Sequence, residues 1–456
     1  MNNLKFSIYT LGCKTNQSES DCIAGDLISR GFRIVPLMEK PDFSIINTCT
    51  VTSATDSKAR QLIRRIKQSN PGGKIIVTGC FVVFNEKFLA ENKIDFIIRN
   101  EDKYNIPELV YKIYNINFTD KADEMDKSDK AGGMGAFSEI FSSPAPALPY
   151  QNIHSRALVK IQDGCEQRCS YCIVPLVRGR YKSIQPDLVI DKIKKLVNNG
   201  FEEIVLTGIH IGKYGVDFGQ NCSLASLLKT ILGCTTVKRI RLSSIEVNEI
   251  NRELLEIVKQ SNGRVAPHFH VPLQSGSTKI LKLMNRHYTR QYFLDAIKSI
   301  EKKLEGIAIT TDIIVGFPGE SEADFIETLK AAKEVSFSKM HVFKYSARTN
   351  TTAALMEGQI SEIVKSNRSH IARKLGEELR DEYIKSNLNN ELEVLCEEID
   401  PESGSCSGTS GNYIKVYFKI KPDQLQNRVF ETVRGKLLKI KAKELYRGGL
   451  TGEPQA

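Results

Sequence analysis

Cys165-Glu166-Gln167-Arg168-Cys169-Ser170-Tyr171-Cys172 holds three thiols within eight residues, in the spacing CxxxCxxC. Structural zinc is closed by four ligands, commonly as two separated pairs, whereas an iron-sulfur cubane is held by thiolates on four irons. Three cysteines leave one iron open, and an open metal position is where a substrate or cofactor binds. A zinc knuckle whose fourth ligand lies elsewhere fits the same spacing. The flanking sequence sets the fold around this loop. Ala157-Leu158-Val159-Lys160-Ile161 reads as a strand running straight into it, and beyond it strands and helices alternate. Pro186 starts a helix through Asn199, with Val189, Ile193, Leu196 and Val197 on one face and Gly200 as its stop. Strands are expected at 203–207, 238–242, 268–271, 308–315 and 341–345, with helices between them such as 290–303 and 322–334. About six βα units of this kind describe a full or partial TIM-type barrel whose catalytic face carries the cysteines.

Several strand ends on that face are polar or rich in glycine. Leu206-Thr207-Gly208-Ile209-His210-Ile211-Gly212, Ser243-Ser244-Ile245-Glu246, Pro272-Leu273-Gln274-Ser275-Gly276-Ser277 and Val315-Gly316-Phe317-Pro318-Gly319-Glu320 are four such segments. Singly each is a turn; repeated around one barrel they make a site, because glycine permits close backbone approach to a ligand. Tyr171, Gly208, Glu246 and Gln274 are the candidate cofactor contacts on this face, and no residue is assigned as an acid or base catalyst. His268 and His270 alternate along a strand and so share one of its faces.

Toward the N-terminus, residues 1–118 alternate short apolar runs with helical segments, the pattern of an α/β domain on a mostly parallel sheet. Three runs end alike: Lys5-Phe6-Ser7-Ile8-Tyr9-Thr10-Leu11-Gly12 into Cys13, Phe43-Ser44-Ile45-Ile46-Asn47-Thr48 into Cys49, and Lys74-Ile75-Ile76-Val77-Thr78-Gly79 into Cys80. Strand ends of a parallel sheet lie along one edge, so these distant cysteines are expected to meet as a second three-thiolate group. Each is equally the small buried hydrophobe that free cysteine commonly becomes. Residues 53–69 read as an amphipathic helix with Ile63 and Ile66 inward and Lys58, Arg60, Arg64, Arg65 and Lys67 outward, stopped by Asn70-Pro71-Gly72. Cys22 lies on a helix after the first cysteine loop and reads as core.

Periodicity stops over 119–150, a stretch first densely charged, then glycine-rich, then rich in Ser, Pro and Ala, which reads as a linker. The barrel domain is taken as 151–384, ending in a charged helix over 361–385, and a small antiparallel β-barrel as 385–450. Its strands are expected at 391–397, 412–420 and 428–440. The interleaved Tyr413-Ile414-Lys415-Val416-Tyr417-Phe418-Lys419 offers stacking rings and phosphate contacts to RNA, and from Gly411 onward ten Lys and Arg face four Asp and Glu.

The whole chain has 456 residues, enough for two or three domains, and a net charge of +10 that suits an acidic partner without specifying one. No apolar stretch reaches the length of a membrane span, and Met1 to Tyr9 lacks the apolar core of a signal peptide. A cytoplasmic protein is expected, in which eleven cysteines serve better as metal or redox ligands than as disulfides.

These motifs together resemble a known family. Cys165, Cys169 and Cys172, with Tyr171 before the last, match the signature of radical S-adenosylmethionine (SAM) enzymes. Thr10-Leu11-Gly12-Cys13-Lys14-Thr15-Asn16-Gln17, Asn47-Thr48-Cys49-Thr50-Val51-Thr52, Thr78-Gly79-Cys80, Pro175-Leu176-Val177-Arg178-Gly179-Arg180, His270-Val271-Pro272-Leu273-Gln274-Ser275-Gly276-Ser277 and Met284-Asn285-Arg286-His287-Tyr288-Thr289 look like the methylthiotransferases, in order and over nearly the whole chain. The C-terminal barrel resembles their TRAM RNA-binding domain. Two departures are Lys344, where the family usually has Pro, and Asn350, where it has Gly.

The resemblance implies an N-terminal methylthiotransferase domain, a radical SAM partial barrel and a TRAM domain. It implies that Cys165, Cys169 and Cys172 hold the [4Fe-4S] cluster at which S-adenosylmethionine is cleaved to a 5′-deoxyadenosyl radical, and that Cys13, Cys49 and Cys80 hold an auxiliary [4Fe-4S] cluster that presents the sulfur. An electron donor such as flavodoxin or ferredoxin is then required. The opening motif around Cys13 and Arg178-Gly179-Arg180 look most like the group that acts on threonylcarbamoyladenosine at position 37 of tRNA, in the anticodon stem-loop. Alternatives are methylthiolation of isopentenyladenosine in tRNA, of a ribosomal protein aspartate, or a non-enzymatic metal protein that binds RNA. Cys22, Cys222, Cys234, Cys396 and Cys406 match no motif.

Overall fold

The computed structural model describes residues 4–114, 154–219, 222–400, 402–420 and 433–455; the linker expected over 119–150 lies outside them. The first sheet has five parallel strands, β1 (Lys5–Thr10), β2 (Arg33–Ile34), β3 (Phe43–Thr48), β4 (Lys74–Gly79) and β5 (Phe96–Ile98), in the order β2-β1-β3-β4-β5. All six residues of the central β3 are buried, as a parallel strand covered on both faces requires. Phe43 and Ile45 pack against Ile23, Ala24 and Leu27 of helix Lys14–Ser29, while Ile46 packs against Ala59, Ile63 and Ile66 of helix Ser53–Ser69 on the other face. The second helix begins where the Thr52 side chain accepts from the Thr55 N–H, and its buried Ile63 and Ile66 are those its periodicity assigns inward.

Register carries the three cysteines to one edge. Thr10 pairs with Asn47 and Thr48 with Gly79, so the chain leaves β1, β3 and β4 at the same end toward Cys13, Cys49 and Cys80. Gly79 has φ 100°, and a Cβ there would lie 2.1 Å from the Thr48 carbonyl oxygen. No L side chain fits both demands. Gly79→Ala is expected to cost about 1–3 kcal/mol, read as a lowered unfolding midpoint in denaturant.

The second unit contains six parallel strands: β6 (Ala157–Asp163), β8 (Glu203–Gly208), β9 (Arg239–Leu242), β10 (His268–His270), β11 (Ala308–Val315) and β12 (Lys339–Lys344). The short β7 (Lys182–Ser183) pairs antiparallel on the free edge of β6. Pairing runs β6-β8-β9 and β10-β11-β12, and a parallel bridge from Ile240 to Val265 joins the two groups. This is the partial barrel expected, with helices Pro186–Asn198, Arg290–Lys303 and Glu322–Val335 among those on its outside.

Alternation separates the two faces of these strands. Ile204, Ile240, Phe269, Ile309 and Val342 face the helices and form the core. The opposite face is polar: Lys160 and Gln162 on β6, Arg239 and Arg241 on β9, His268 and His270 on β10, Thr310 and Asp312 on β11. A filled TIM barrel places branched apolar side chains there. In this chain the inner face is polar and also meets the neighbouring units, Lys160 reaching Glu19 and Arg239 and Arg241 reaching the C-terminal unit.

The last unit is a closed five-stranded barrel of β13 (Glu391–Ile399), β14 (Ser405–Ser410), β15 (Lys415–Lys419), β16 (Leu437–Tyr446) and β17 (Gly449–Pro454). Its pairs are antiparallel except β15 with β17, which close it in parallel. The strand expected over 428–440 runs instead over Leu437–Tyr446, with 421–432 outside the described residues. No helix among the described residues is long and apolar enough to cross a membrane.

Candidate active site

Cys13 stands at the N-cap of helix Lys14–Ser29, Cys49 follows β3, and Cys80 opens a 3₁₀ turn, Cys80–Val83, after β4. Burial, then the neighbouring Cys80, pushes the Cys49 thiol up to about 12, and Cys13 adds to the rise. The three sulfurs therefore occupy one electrostatic neighbourhood. Gly12 closes the approach: a Cβ on it would lie 2.4 Å from Cβ of Cys49 and 3.0 Å from its Sγ. Asn100 donates from Nδ2 to Sγ of Cys80 at 3.7 Å, and the Cys13 thiol faces Oδ1 of Asn16 at 3.6 Å.

The second group sits in the loop after β6. The Cys165 N–H donates to the Gly179 carbonyl at 3.0 Å, and the Cys172 N–H to that of Cys169 at 3.0 Å. Sγ of Cys165 lies 3.4 Å from Nδ1 of His210, whose Nε2 is 2.9 Å from Glu249. Burial pulls the His210 pKa down, but those two partners outweigh it and raise the value to about 9. Nη1 of Arg286 donates to Sγ of Cys169 at 3.5 Å, while its Nη2 pairs with Glu246. Burial and then Cys169 push the Cys172 thiol up to about 12. Metal loading at either group must therefore remove protons from the thiols.

Among the described residues no group of three or more His, Cys, Asp or Glu side chains is placed to hold a single metal ion. Thiolates of a cubane bind different irons and stand farther apart than ligands converging on one ion. The donor set fits a cluster on a further count. Asn100, Arg286 and His210 aim nitrogen at three of the sulfurs, the hydrogen bonding that tunes cluster thiolates.

A buried charge network ties the groups together. Arg178, 1% exposed, donates from Nη1 to Glu19 at 2.8 Å and to Asp163 at 2.9 Å, and from Nη2 to Oδ1 of Asn16 at 2.5 Å. Glu19, fully buried on the helix that starts at Cys13, also takes Lys103 at 2.5 Å and Lys160 at 2.7 Å. Asp163 is two residues before Cys165 and accepts the Gly164 N–H at 2.8 Å. Burial raises the Glu19 pKa, yet Arg178, Lys103 and Lys160 together hold it well below the carboxylate range. For Asp163 the same contest, led by Arg178 and then Lys160, ends at about 2.

The structure distributes the other expected site residues as follows. Glu246 lies beside the cysteine loop through Arg286. Gln274 is buried with φ 65° and sits between β10 and β11, accepting the Ile314 N–H and donating its own to Asp312. Gly208 ends β8 where a Cβ would lie 2.8 Å from the Gln162 carbonyl. Tyr171 turns into an apolar cluster with Phe317, Tyr345 and Met284, its ring edge-on to Phe317 at 6.5 Å. Cys396 and Cys406 belong to the core of the C-terminal barrel, Cys222 packs on the barrel-domain core, and Cys234 is exposed.

The reading of 413–419 as an RNA-facing run is corrected by packing. Tyr413 is turned inward: Arg241 stands over its ring at 4.3 Å, His268 at 4.4 Å, and Lys14 donates to its hydroxyl at 3.1 Å. Val416 and Phe418 fill the barrel core, and Lys415 is held by Glu397 and Glu398. Alternation sends Ile414, Val416 and Phe418 inside and leaves Lys415, Tyr417 and Lys419 with surface, Lys419 the most exposed. Sequence reading missed the Glu19, Lys160 and Arg178 network and the Arg286 contact. A lysine in the middle of an apolar strand, Lys160, is the one signal that pointed to a buried partner.

The model of the radical SAM superfamily matches residues 159–332, and that of the uncharacterised protein family UPF0004 matches 5–98. The chain is 37% identical over 440 residues to the threonylcarbamoyladenosine tRNA methylthiotransferase of Bacillus subtilis (strain 168), covering 95% of this chain and 93% of that one. It is 34% identical to a tRNA-2-methylthio-N(6)-dimethylallyladenosine synthase of Natranaerobius thermophilus, covering 87% of each. Among solved structures, a radical S-adenosylmethionine methyltransferase of Kitasatospora setae shares the fold with TM-score 0.55 at 14% identity, over 78% of this chain and 74% of that chain. Carrying both cysteine groups on matching domains, this chain belongs to the methylthiotransferase family of radical SAM enzymes.

Proposed function

We propose that the chain adds a methylthio group to N6-threonylcarbamoyladenosine at position 37 of tRNA, in the cytoplasm, with the anticodon stem-loop as its target and a flavodoxin or ferredoxin as electron donor. The observation that carries it is the pair of three-thiol groups joined by Arg178, Glu19 and Asp163. Cys165, Cys169 and Cys172 would hold one [4Fe-4S] cluster and Cys13, Cys49 and Cys80 the other; when bound they supply the electron that cleaves S-adenosylmethionine and the sulfur that is transferred. Arg286 and His210 place N–H groups against the first set of sulfurs and hold them in orientation through Glu246 and Glu249. Tyr171 packs the loop between Cys169 and Cys172 onto Phe317. Arg178 fixes the distance between the two loops.

In this reading residues 1–118 form the sulfur-presenting domain, 151–384 the radical domain and 385–450, extended to Pro454 by β17, the RNA-binding domain. Relatives from Bacillus subtilis and Aquifex aeolicus carrying the threonylcarbamoyladenosine name support this substrate. The test is mass spectrometry of nucleosides from tRNA of a deletion strain. The methylthio derivative of threonylcarbamoyladenosine is expected to vanish and its unthiolated parent to accumulate, with isopentenyladenosine derivatives unchanged. Loss of the isopentenyl derivative instead would assign the other substrate.

A further inference from the structure

The inner face of β10, β11 and β12 carries a polar group that the cysteine chemistry leaves unused. His270 lies 3.2 Å through Nε2 from Asp312 and 2.9 Å through Nδ1 from Oγ1 of Thr310. His341, paired in register with Asp312, presents its ring 5.8 Å from that of His270 and is exposed to the interior. Lys14, the residue after Cys13, reaches the same space from the N-terminal unit, where its ammonium meets the hydroxyl of Tyr413 at 3.1 Å. Burial holds the His341 pKa below its usual value; Asp312 opposes this, while Lys339, His270 and Lys14 add to the lowering.

The position of this cluster is fixed from both sides. The His270 carbonyl accepts the Ile245 N–H at 3.0 Å, one residue before Glu246, which pairs with the arginine on Cys169. Lys14 adjoins Cys13. The wall is thus linked, through Ile245 and Glu246 on one side and Lys14 on the other, to residues beside both thiol groups.

We propose that His270, Asp312 and His341, with Lys14 opposite, form the pocket for the N6 substituent of the substrate adenosine, and that they select an anionic substituent carrying its own hydrogen-bond donors. This rests on the function proposed above and adds the residues that read the substrate. Threonylcarbamoyl has a carboxylate, a hydroxyl and urea N–H groups. The ammonium of Lys14 and the imidazole N–H of His341 suit the carboxylate, and Asp312 accepts from the hydroxyl or urea. An isopentenyl chain offers none of these. Seating it would cover His341 and the free acceptor capacity of Asp312 without new partners, at about 1–3 kcal/mol for each group left unpaired. A site built on hydrogen bonds rejects a substrate lacking them far better than an apolar pocket rejects an extra methylene.

Direct binding of anticodon stem-loop RNAs to the reconstituted chain, followed by fluorescence anisotropy without reductant, tests this. The probes carry threonylcarbamoyladenosine, isopentenyladenosine or plain adenosine at position 37. The native chain is expected to prefer the first by about tenfold or more, the value of one charged hydrogen bond. His341→Leu and His270→Leu should abolish that preference while binding to plain RNA and iron content stay unchanged, and His341→Gln should regain part of it. Leucine variants that keep the native preference overturn the pocket and leave the proposed substrate standing. A native chain that prefers isopentenyladenosine, or none of the three, overturns both.

Discussion

Cys169→Ala abolishes cleavage of S-adenosylmethionine, whereas Cys49→Ala leaves cleavage running and stops sulfur insertion. The expectation follows from where the two residues stand. Cys169 lies in the loop after β6, with Arg286 on its sulfur, and Cys49 at the end of β3 in a separate sheet. Neither loop contributes a sulfur to the other group. A three-thiolate cubane that loses one ligand loses the geometry that leaves a single iron open, so the affected chemistry should fall to background. After anaerobic reconstitution the native chain should hold about eight irons and each variant about four. Formation of 5′-deoxyadenosine, followed by chromatography, should vanish in the first variant and persist uncoupled in the second. If Cys49→Ala also stopped cleavage, the division of labour would be wrong.

Glu19→Gln should unfold far more easily than the native chain. Its carboxylate is the only anion shared by Arg178, Lys103 and Lys160 among the described residues, and all four side chains are 3% exposed or less. Removing one partner of a buried ionic set leaves charges in a medium that cannot solvate them, at about 3–5 kcal/mol. Arg178→Met should also cost stability, by removing the guanidinium that Glu19 and Asp163 share and leaving them to compete for Lys160, and should release Asn16 beside Cys13. Chemical denaturation at neutral pH measures both. The pH dependence has a definite sign. Folded pKa values of Glu19 and Asp163 lie below their unfolded values, so their contribution is full above about pH 4.5 and is lost as pH falls through the depressed values. An acid-unfolding midpoint nearer neutrality in Glu19→Gln would accompany the loss. A variant as stable as the native chain would mean that the network is replaceable by neutral hydrogen bonds.

Much of this arrangement was legible in residues whose local rules agree with their tertiary role. The runs before Cys13, Cys49 and Cys80 are apolar, end at a turn, and become adjacent parallel strands, so strand-end logic alone brought the thiols together. The six strands of the partial barrel appeared for the same reason. Where the outcome depended on partners distant in the chain, local pattern was silent. Gly449–Pro454 contains two glycines and ends in proline, which reads as loop, yet it is a strand because closing the C-terminal barrel requires one. Glu19 sits in a polar stretch of helix and reads as surface until Lys160 and Arg178 arrive from a different unit. Tyr413 looked like a stacking platform for the same reason, since nothing nearby in sequence announces Arg241 and His268.

The docking of the C-terminal barrel onto β9 has a geometric consequence. Arg241 donates to the carbonyls of Ser410 and Gly411 at 2.8 and 2.7 Å, Arg239 to those of Glu393 and Thr409, and Glu203 clamps both arginines from beneath. A module held by four carbonyls on two buried cations does not swing on a tether. It behaves as a gauge of set length. If this barrel grips RNA by its outer face, as proposed above, that RNA would be presented at one fixed reach from the cysteines, and position along the stem-loop would be measured before any base is inspected. Lengthening the stem by a base pair should then misplace the target nucleotide as surely as changing it.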